Sequence, residues 1–139
     1  MFKITHVCEN DKSFWSTIDH HFDEKMFELK IRDKQGYLIC DGELPIGIMR
    51  YNLFWDLFPF LNLIKIEESY QGKGFGKQAM LFWENEMKEL GHLMVMISTQ
   101  VDEPAQHFYR NLGYIEKGSL FFDSTPFPQA QEMLMIKIL

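Results

Sequence analysis

The sequence predicts an α/β chain whose about six or seven strands form a mixed α+β sheet flanked by about four helices, and three observations predict it. An apolar run over residues 61–66 leads into Gln71-Gly72-Lys73-Gly74-Phe75-Gly76-Lys77, and an amphipathic stretch over 75–90 follows, which reads as strand, glycine turn, helix. Two strand-like runs, 36–40 and 45–51, flank Asp41-Gly42-Glu43-Leu44, whose Asp-Gly pair signals a hairpin. Beyond residue 90 the apolar pattern passes from strand to helix and back to strand.

Taken from the N-terminus, Phe2-Lys3-Ile4-Thr5-His6-Val7 alternates apolar and polar side chains, the pattern of a strand. A helix over about residues 11–22 is expected from Phe14, Trp15, Ile18 and Phe22 at helical spacing, with a second short helix over about 23–31. After the hairpin, residues 53–60 read as an aromatic connector into the strand at 61–66. The helix after the glycine turn carries Phe75, Ala79, Phe82, Trp83, Met87 and Leu90 along one side and stops at Gly91, a natural C-cap. Residues 93–97 are apolar without a break and read as a buried strand. A helix starts near Pro104 with Asp102 or Glu103 as its cap, carries Ala105, Phe108, Tyr109 and Leu112 as a stripe, and ends at Gly113. Residues 114–122 and 133–139 close the chain as a strand pair across a Pro-containing loop. No repeat, linker or second domain is visible, so a single domain over residues 1–139 is expected.

Composition bounds the function. A chain of 139 residues can bury roughly two-thirds of its unfolded surface, and a hydrophobic fraction of 46% with 13 Phe suits a packed core. The candidate membrane segment, residues 53–66, is interrupted by Asp56, Pro59, Asn62 and Lys65. The first residues lack the basic and then apolar plan of a signal peptide, so a cytoplasmic protein without a membrane partner is expected. Cys8 and Cys40 lack metal-ligand spacing and read as buried reduced thiols. A net charge of −6 argues against nonspecific nucleic-acid binding. Lys65, Lys73 and Lys77 nevertheless cluster around the glycine turn and leave a locally basic spot.

That turn is suited to a phosphate. Glycines let the backbone approach a ligand closely, and the first helical turn offers unpaired N–H groups and the positive end of the helix dipole. The plain alternative is that Gly72, Gly74 and Gly76 only shape a tight turn. A Walker A loop needs Gly-Lys followed by Ser or Thr with another Gly five residues earlier; here Gln78 follows Gly76-Lys77 and the earlier position is Gln71. Gly74-Phe75-Gly76-Lys77-Gln78-Ala79 satisfies G-x-G-x-x-A, but the acidic residue a dinucleotide site needs roughly 20 positions on is absent from Met94-Val95-Met96-Ile97.

The remaining pattern, Gln71-x-x-Gly74-x-Gly76 after a buried strand, resembles the Q/R-x-x-G-x-G/A segment of the GNAT superfamily of acetyl-CoA-dependent N-acetyltransferases. Ile64-x-Ile66 followed by Tyr70-Gln71-Gly72-Lys73-Gly74 is similar to the end of that family's fourth strand and its pyrophosphate loop. Ala105-Gln106-His107-Phe108-Tyr109-Arg110-Asn111-Leu112-Gly113-Tyr114 resembles its A-x-x-F-Y-x-x-x-G-F segment, and Met133-Leu134-Met135-Ile136-Lys137 its last strand. The order of elements matches over nearly the whole chain, although the N-terminal half agrees only in pattern.

The resemblance implies a mostly antiparallel central sheet of about six or seven strands with one splayed parallel pair. It implies that the backbone of Ile64, Lys65 and Ile66 pairs with the pantetheine arm of acetyl-CoA, that Gln71, Gly72, Lys73, Gly74, Phe75, Gly76 and Lys77 surround its pyrophosphate, and that Asp102, Ala105 and Phe108 lie beside the coenzyme. Asp102 stands where the family often has an asparagine that contacts the pantetheine arm; an aspartate still accepts a hydrogen bond but donates none.

By resemblance to the family, Tyr109 occupies the position of the tyrosine that protonates the departing thiolate, and a phenol with pKa about 10 can donate to a thiolate whose acid is near 8.5. The other reading of Tyr109 is a core tyrosine with a satisfied hydroxyl. A base is needed because deprotonating a lysine-like amine at pH 7 costs roughly 4 to 5 kcal/mol. In this family the base often sits upstream on the fourth strand, but Phe58, Phe60 and Asn62 stand there; Glu67, Glu68 and Asp56 remain, and Glu67 is the choice.

By resemblance the acceptor pocket would draw on His20, His21, Asp23, Glu24 and Phe54-Trp55-Asp56-Leu57-Phe58, and acidic with aromatic groups suits a cationic amine. The same residues could equally serve core packing or a dimer surface. Adjacent His20 and His21 point to different sides of a helix and make no metal pair. The expectation is therefore direct acetyl transfer to a primary amine with acetyl-CoA as cosubstrate and no metal, in a monomer or homodimer. An acyl-CoA-binding sensor of the same fold is the alternative.

Overall fold

The computed structural model describes residues 1–139. The backbone runs β1 (Phe2–His6), α1 (Lys12–Ile18), α2 (Glu24–Arg32), β2 (Gly36–Asp41), β3 (Leu44–Phe54), β4 (Phe58–Ile66), α3 (Phe75–Glu89), β5 (Met94–Gln100), α4 (Ala105–Asn111), β6 (Ile115–Leu120) and β7 (Glu132–Ile138). Short 3-10 turns occupy Glu9–Asp11 and Glu68–Tyr70. The seven strands form one sheet in the order β1-β2-β3-β4-β5-β7-β6. The β1–β2, β2–β3, β5–β7 and β6–β7 pairs are antiparallel, whereas β4 and β5 run parallel and are in register at Phe60↔Met96. The expected mixed α/β architecture, with its parallel pair and four helices, is the one observed. No helix is long and apolar enough to cross a membrane.

The chain divides into two compact units, Met1–Asn52 with Leu61–Trp83, and Leu53–Phe60 with Glu84–Leu139. In the first, the alternation of β2 turns Leu38 and Cys40 toward Val7, Trp15, Ile18, Phe27 and Ile48, with Phe14, Phe22, Ile31 and Leu63 packed against that cluster. Tyr37 points the other way and meets Phe82 of α3 edge-on at 6.3 Å, while Tyr51 meets Trp83 at 5.7 Å. The helix expected over 11–22 is shorter. It starts from the 3-10 turn and ends at Ile18, because Asp19 turns extended (ψ 105°) and its carboxylate enters the core. There it accepts hydrogen bonds from Trp15 Nε1 (3.1 Å), Arg50 Nε (3.0 Å) and the His21 amide (3.0 Å). Burial pushes the Asp19 carboxyl up, but these bonds, led by that from Arg50, outweigh it and leave the group below its usual value.

Cys40 is buried as expected, but Cys8 is exposed, since it is the residue that enters the first 3-10 turn and its thiol donates to Asp11 Oδ2 (3.4 Å). Both cysteines are free thiols.

In the second unit β7 lies between β5 and β6, and Val95, Ile97, Thr99, Met133 and Met135 are buried. Residues 53–60 are not a connector. They are the end of a long hairpin: β3 and β4 extend through them, and the Leu57 amide bonds to the Phe54 carbonyl (3.0 Å) across Trp55 and Asp56, which have φ of 56° and 59°. Two positive φ angles mark the turn type that matches strand twist and that usually requires Asn-Gly. Here aromatic pairs support it, with Phe54 6.0 Å from Phe60 and Trp55 6.2 Å from Phe58. Trp55 is left 74% exposed.

Candidate active site

In the first unit β4 ends at Ile66, and the chain is tied at once: the Glu67 amide donates to the Ile46 carbonyl (2.8 Å) and Gln71 Nε2 donates to the Ile66 carbonyl (2.9 Å). Between Gln71 and α3 the backbone takes φ of 75° at Gly72 and 89° at Gly74, angles that L side chains rarely adopt. A Cβ on either glycine would meet no atom within 4 Å, so both face open space. The first bond of α3 runs from the Gln78 amide to the Gly74 carbonyl (3.1 Å), which leaves the amides of Gly74, Phe75, Gly76 and Lys77 without an intrahelical acceptor. Phe75 is buried and anchors the helix start, while Tyr70 stands edge-on to it at 6.2 Å and Lys73 lies 5.3 Å over the Tyr70 ring. Gln71, Gly72, Lys73, Gly74 and Lys77 are exposed and Gly76 is half-buried. Open glycines, free amides and two lysine side chains make a cradle that fits a pyrophosphate.

Beside this loop is a cleft of about 900 Å³. One wall is the end of α1, Thr17 and Ile18; the other runs from Lys65 through Glu67, Glu68 and Ser69 to Gln71. The α1 wall directly precedes Asp19, so the buried Asp19–Arg50 ion pair fixes where it stands. The position of β4 is set from β3. A Cβ at Gly47 would lie 2.7 Å from both the Lys65 carbonyl oxygen and Ile66 Cδ1, closer than such atoms approach.

In the second unit α4 begins without either expected cap. Pro104 is the N-cap residue, in helical conformation and with no side-chain bond, so neither Asp102 nor Glu103 serves; Gln106 Nε2 instead bonds the Val101 carbonyl (2.8 Å). The helix closes on Gly113 (φ 98°), whose amide bonds the Arg110 carbonyl (3.0 Å) while the Tyr114 amide bonds the Tyr109 carbonyl (3.1 Å). This pair of bonds is the Schellman ending that a glycine one residue past the cap provides. Tyr109 is 9% exposed and its ring is held between Phe108 (5.2 Å) and Tyr114 (5.8 Å). Its hydroxyl has no hydrogen-bond partner within the protein, but unlike Trp83 Nε1 it is not sealed from solvent. Burial, with a smaller effect of the Glu103 charge, pushes this phenol up to about 12, so it is protonated at neutral pH. Ala105 and Phe108 are half-buried on the same helix and Asp102 is exposed before it.

The structure therefore joins Lys65, Ile66, Glu67, Glu68 and Gln71 in one cleft, with Ile64 just upstream and the glycine loop just downstream. Asp56 is not one of the cleft's lining residues and lies at the exposed hairpin tip of the second unit. Of the expected acceptor residues, Asp23 caps α2 by accepting from the Met26 amide (2.9 Å) and Glu24 binds Lys12 (2.6 Å), so both carboxylates have structural work; His20 and His21 are exposed. Thr17 and Ile18 were not anticipated, because nothing in a helical apolar stripe tells which cleft its end will face. No group of three or more His, Cys, Asp or Glu side chains is arranged to hold a metal ion.

Residues 4–114 match the profile of the acetyltransferase (GNAT) family. Among solved structures, the chain is similar to the ribosomal-protein-S18-alanine N-acetyltransferase from Escherichia coli (17% identity, 99% of this chain and 94% of that one, TM-score 0.82). It is also similar to the spermidine/spermine N-acetyltransferase SpeG from Vibrio cholerae, solved with manganese ions (17% identity, 99% and 92% covered, TM-score 0.79). A third likeness is to a GNAT family acetyltransferase from Elizabethkingia anophelis with acetyl-CoA bound (16% identity, 99% and 98% covered, TM-score 0.79). At these identities the likeness establishes the fold. No curated protein sequence matches the chain.

Proposed function

The chain belongs to the GNAT acetyltransferase family, and from that premise we propose that it is an N-acetyltransferase acting on a primary amine by direct attack in a ternary complex with acetyl-CoA. The observation that carries the donor half is the loop at Gly72 and Gly74, whose positive φ angles, open faces and free helix-start amides suit a pyrophosphate. Gln71 to Lys77 would hold that group, and the backbone of Ile64, Lys65 and Ile66 would hold the pantetheine arm. Asp102, Ala105 and Phe108 would also contact the coenzyme, as the family resemblance implies. When bound, acetyl-CoA supplies an acetyl thioester ready for nucleophilic attack.

The protein's own groups handle the protons. Glu67, in the wall of the cleft, takes a proton from the incoming ammonium, directly or through one water. Tyr109 gives its proton to the departing sulfur. Its hydroxyl has no protein partner yet is not sealed from solvent, whereas a core tyrosine with a purely packing role ordinarily finds a partner, and this favours the acid role. The carboxylates of Glu67 and Glu68 on the cleft, against one lysine, Lys65, support a cationic amine as the acceptor. We further propose that residues 1–139 act as one catalytic domain without a metal, in the cytoplasm.

The test is release of free thiol from acetyl-CoA with a panel of amines: polyamines, aminoglycosides, and peptides with a free N-terminus. Turnover with at least one cationic amine is expected. Tight coenzyme A binding without release for any amine would instead favour an acyl-CoA sensor of the same fold. Tyr109→Phe should lower kcat with acetyl-CoA affinity nearly unchanged, and an unaltered kcat removes the acid role. Stabilisation by NAD or ATP in preference to coenzyme A would overturn the donor assignment.

A further inference from the structure

Where the family segment A-x-x-F-Y-x-x-x-G-F ends in phenylalanine, this chain has Tyr114, and the added hydroxyl is engaged. It donates to Glu84 Oε2 at 2.8 Å, and Lys137 Nζ donates to Glu84 Oε1 at 2.7 Å. The same ammonium lies 5.8 Å from the centre of the Tyr114 ring. Glu84 and Tyr114 are buried and come from α3 and from the residue leading into β6, while Lys137 comes from β7. A buried carboxylate needs both a counter-charge and hydrogen bonds, and here each oxygen has one of these partners.

Tyr114 in turn reaches Tyr109 by two routes. Its amide bonds the Tyr109 carbonyl at 3.1 Å, and its ring stands edge-on to the Tyr109 ring at 5.8 Å and 73°. Both contacts follow from the helix ending, which returns the residue after the glycine to the one five positions earlier. The turn between them is closed over by Lys137, whose Cε lies 3.5 Å from where a Cβ of Gly113 would be. No hydrogen bond within the protein orients the Tyr109 hydroxyl, so its ring direction depends on the rings against it. Of the two aromatic rings against it, Tyr114 is the one anchored by a carboxylate and an ammonium.

The geometry points to Tyr114, anchored by Glu84 and Lys137, as the positioning residue for Tyr109: it fixes the direction in which the Tyr109 hydroxyl is presented to the departing thiolate. The inference rests on the reading of Tyr109 as the acid. It is tested by a double-mutant cycle on kcat for thiol release, with Tyr109→Phe, Tyr114→Phe and the double variant in the full chain at saturating acetyl-CoA, each checked for thermal midpoint. Tyr114→Phe is expected to lower kcat roughly tenfold with the KM for acetyl-CoA within about twofold, and to lower it no further in the Tyr109→Phe background. Glu84→Gln keeps an acceptor for the Tyr114 hydroxyl and should retain more activity than Glu84→Ala; it also carries the comparison should Tyr114→Phe not fold. Equal losses in both backgrounds, or a lower midpoint with unchanged kcat, would show that the cluster only stabilises the fold and overturn the inference. An unchanged kcat for Tyr109→Phe itself is a different failure: it removes Tyr109 from the chemistry and this inference with it.

Discussion

Replacing Gly74 by alanine perturbs the proposed pyrophosphate loop with the least added matter. The new methyl group would meet no atom within 4 Å, so no clash is introduced; the cost lies in the dihedral, since φ is 89°. An L residue held at such an angle is strained by roughly 1–2 kcal/mol. That energy has two destinations. If the free loop keeps its shape, the protein loses that much stability, a fall of about 3 to 8 °C in thermal midpoint for a chain of this size. If the exposed loop relaxes in the free protein, the same energy must be restored on binding, and the dissociation constant of coenzyme A rises about 5- to 30-fold at 1.4 kcal/mol per tenfold. The second outcome is expected, because the loop is exposed and its outer face is unpacked. Calorimetric titration with coenzyme A, beside a thermal scan, reads both. Gly118→Ala is the control: it too meets nothing within 4 Å and has no positive φ, so affinity should not move. Unchanged affinity together with an unchanged midpoint in Gly74→Ala would refute the claim that the glycine conformation prepares the site.

Arg50→Met should destabilise the protein by about 3 to 5 kcal/mol at neutral pH in urea unfolding, because it leaves the buried Asp19 carboxylate without its counter-charge. Since Asp19 is held below its usual value of 3.8, its contribution is complete above about pH 4 and is lost as pH falls through the lower folded value; an equal cost for Arg50→Met at pH 2 and pH 7 would contradict this. Tyr109 gives the opposite sign: its phenol rises from 10.0 to about 12, so the stability drawn from keeping it neutral is full below pH 10 and declines as pH climbs toward 12. Thermal midpoints between about pH 8 and pH 11 should therefore fall less steeply for Tyr109→Phe than for the unaltered chain. At the hairpin tip, Asp56→Gly, which leaves Trp55 and its aromatic contacts in place, should raise stability by about 1 kcal/mol by relieving a positive φ angle, and a midpoint that does not rise counts against strain there.

What the sequence made legible was local. The glycine turn, the start of α3 at Phe75 and the ending of α4 at Gly113 each depend on residues within a few positions of one another, so period and turn chemistry reveal them. Failures came where a distant or unconventional partner decided. The stripe Phe14, Trp15, Ile18 and Phe22 promised a longer helix than exists, because Asp19 leaves the helix for Arg50, 31 residues away. The hairpin through Trp55 and Asp56 was invisible for want of the usual Asn-Gly. Asp102 and Glu103 are suitable cap residues by type, yet Pro104 takes the cap position in helical conformation. The site divides the same way: the loop at Gln71 to Lys77 could be found from spacing, whereas the cleft wall at Thr17 and Ile18, and the anchoring of Tyr114 by Glu84 and Lys137, unite residues whose separation carries no periodic signal.

The absent side chain at Gly47 also has a consequence for inheritance. Every amino-acid change one base away from a glycine codon adds a Cβ, and at this position that atom would be driven to 2.7 Å from the Lys65 carbonyl. The gene thus has no mild missense step at this codon. Drift that elsewhere in β3 could pass through small apolar exchanges is here confined to synonymous change, although residue 47 itself needs no chemistry of its own.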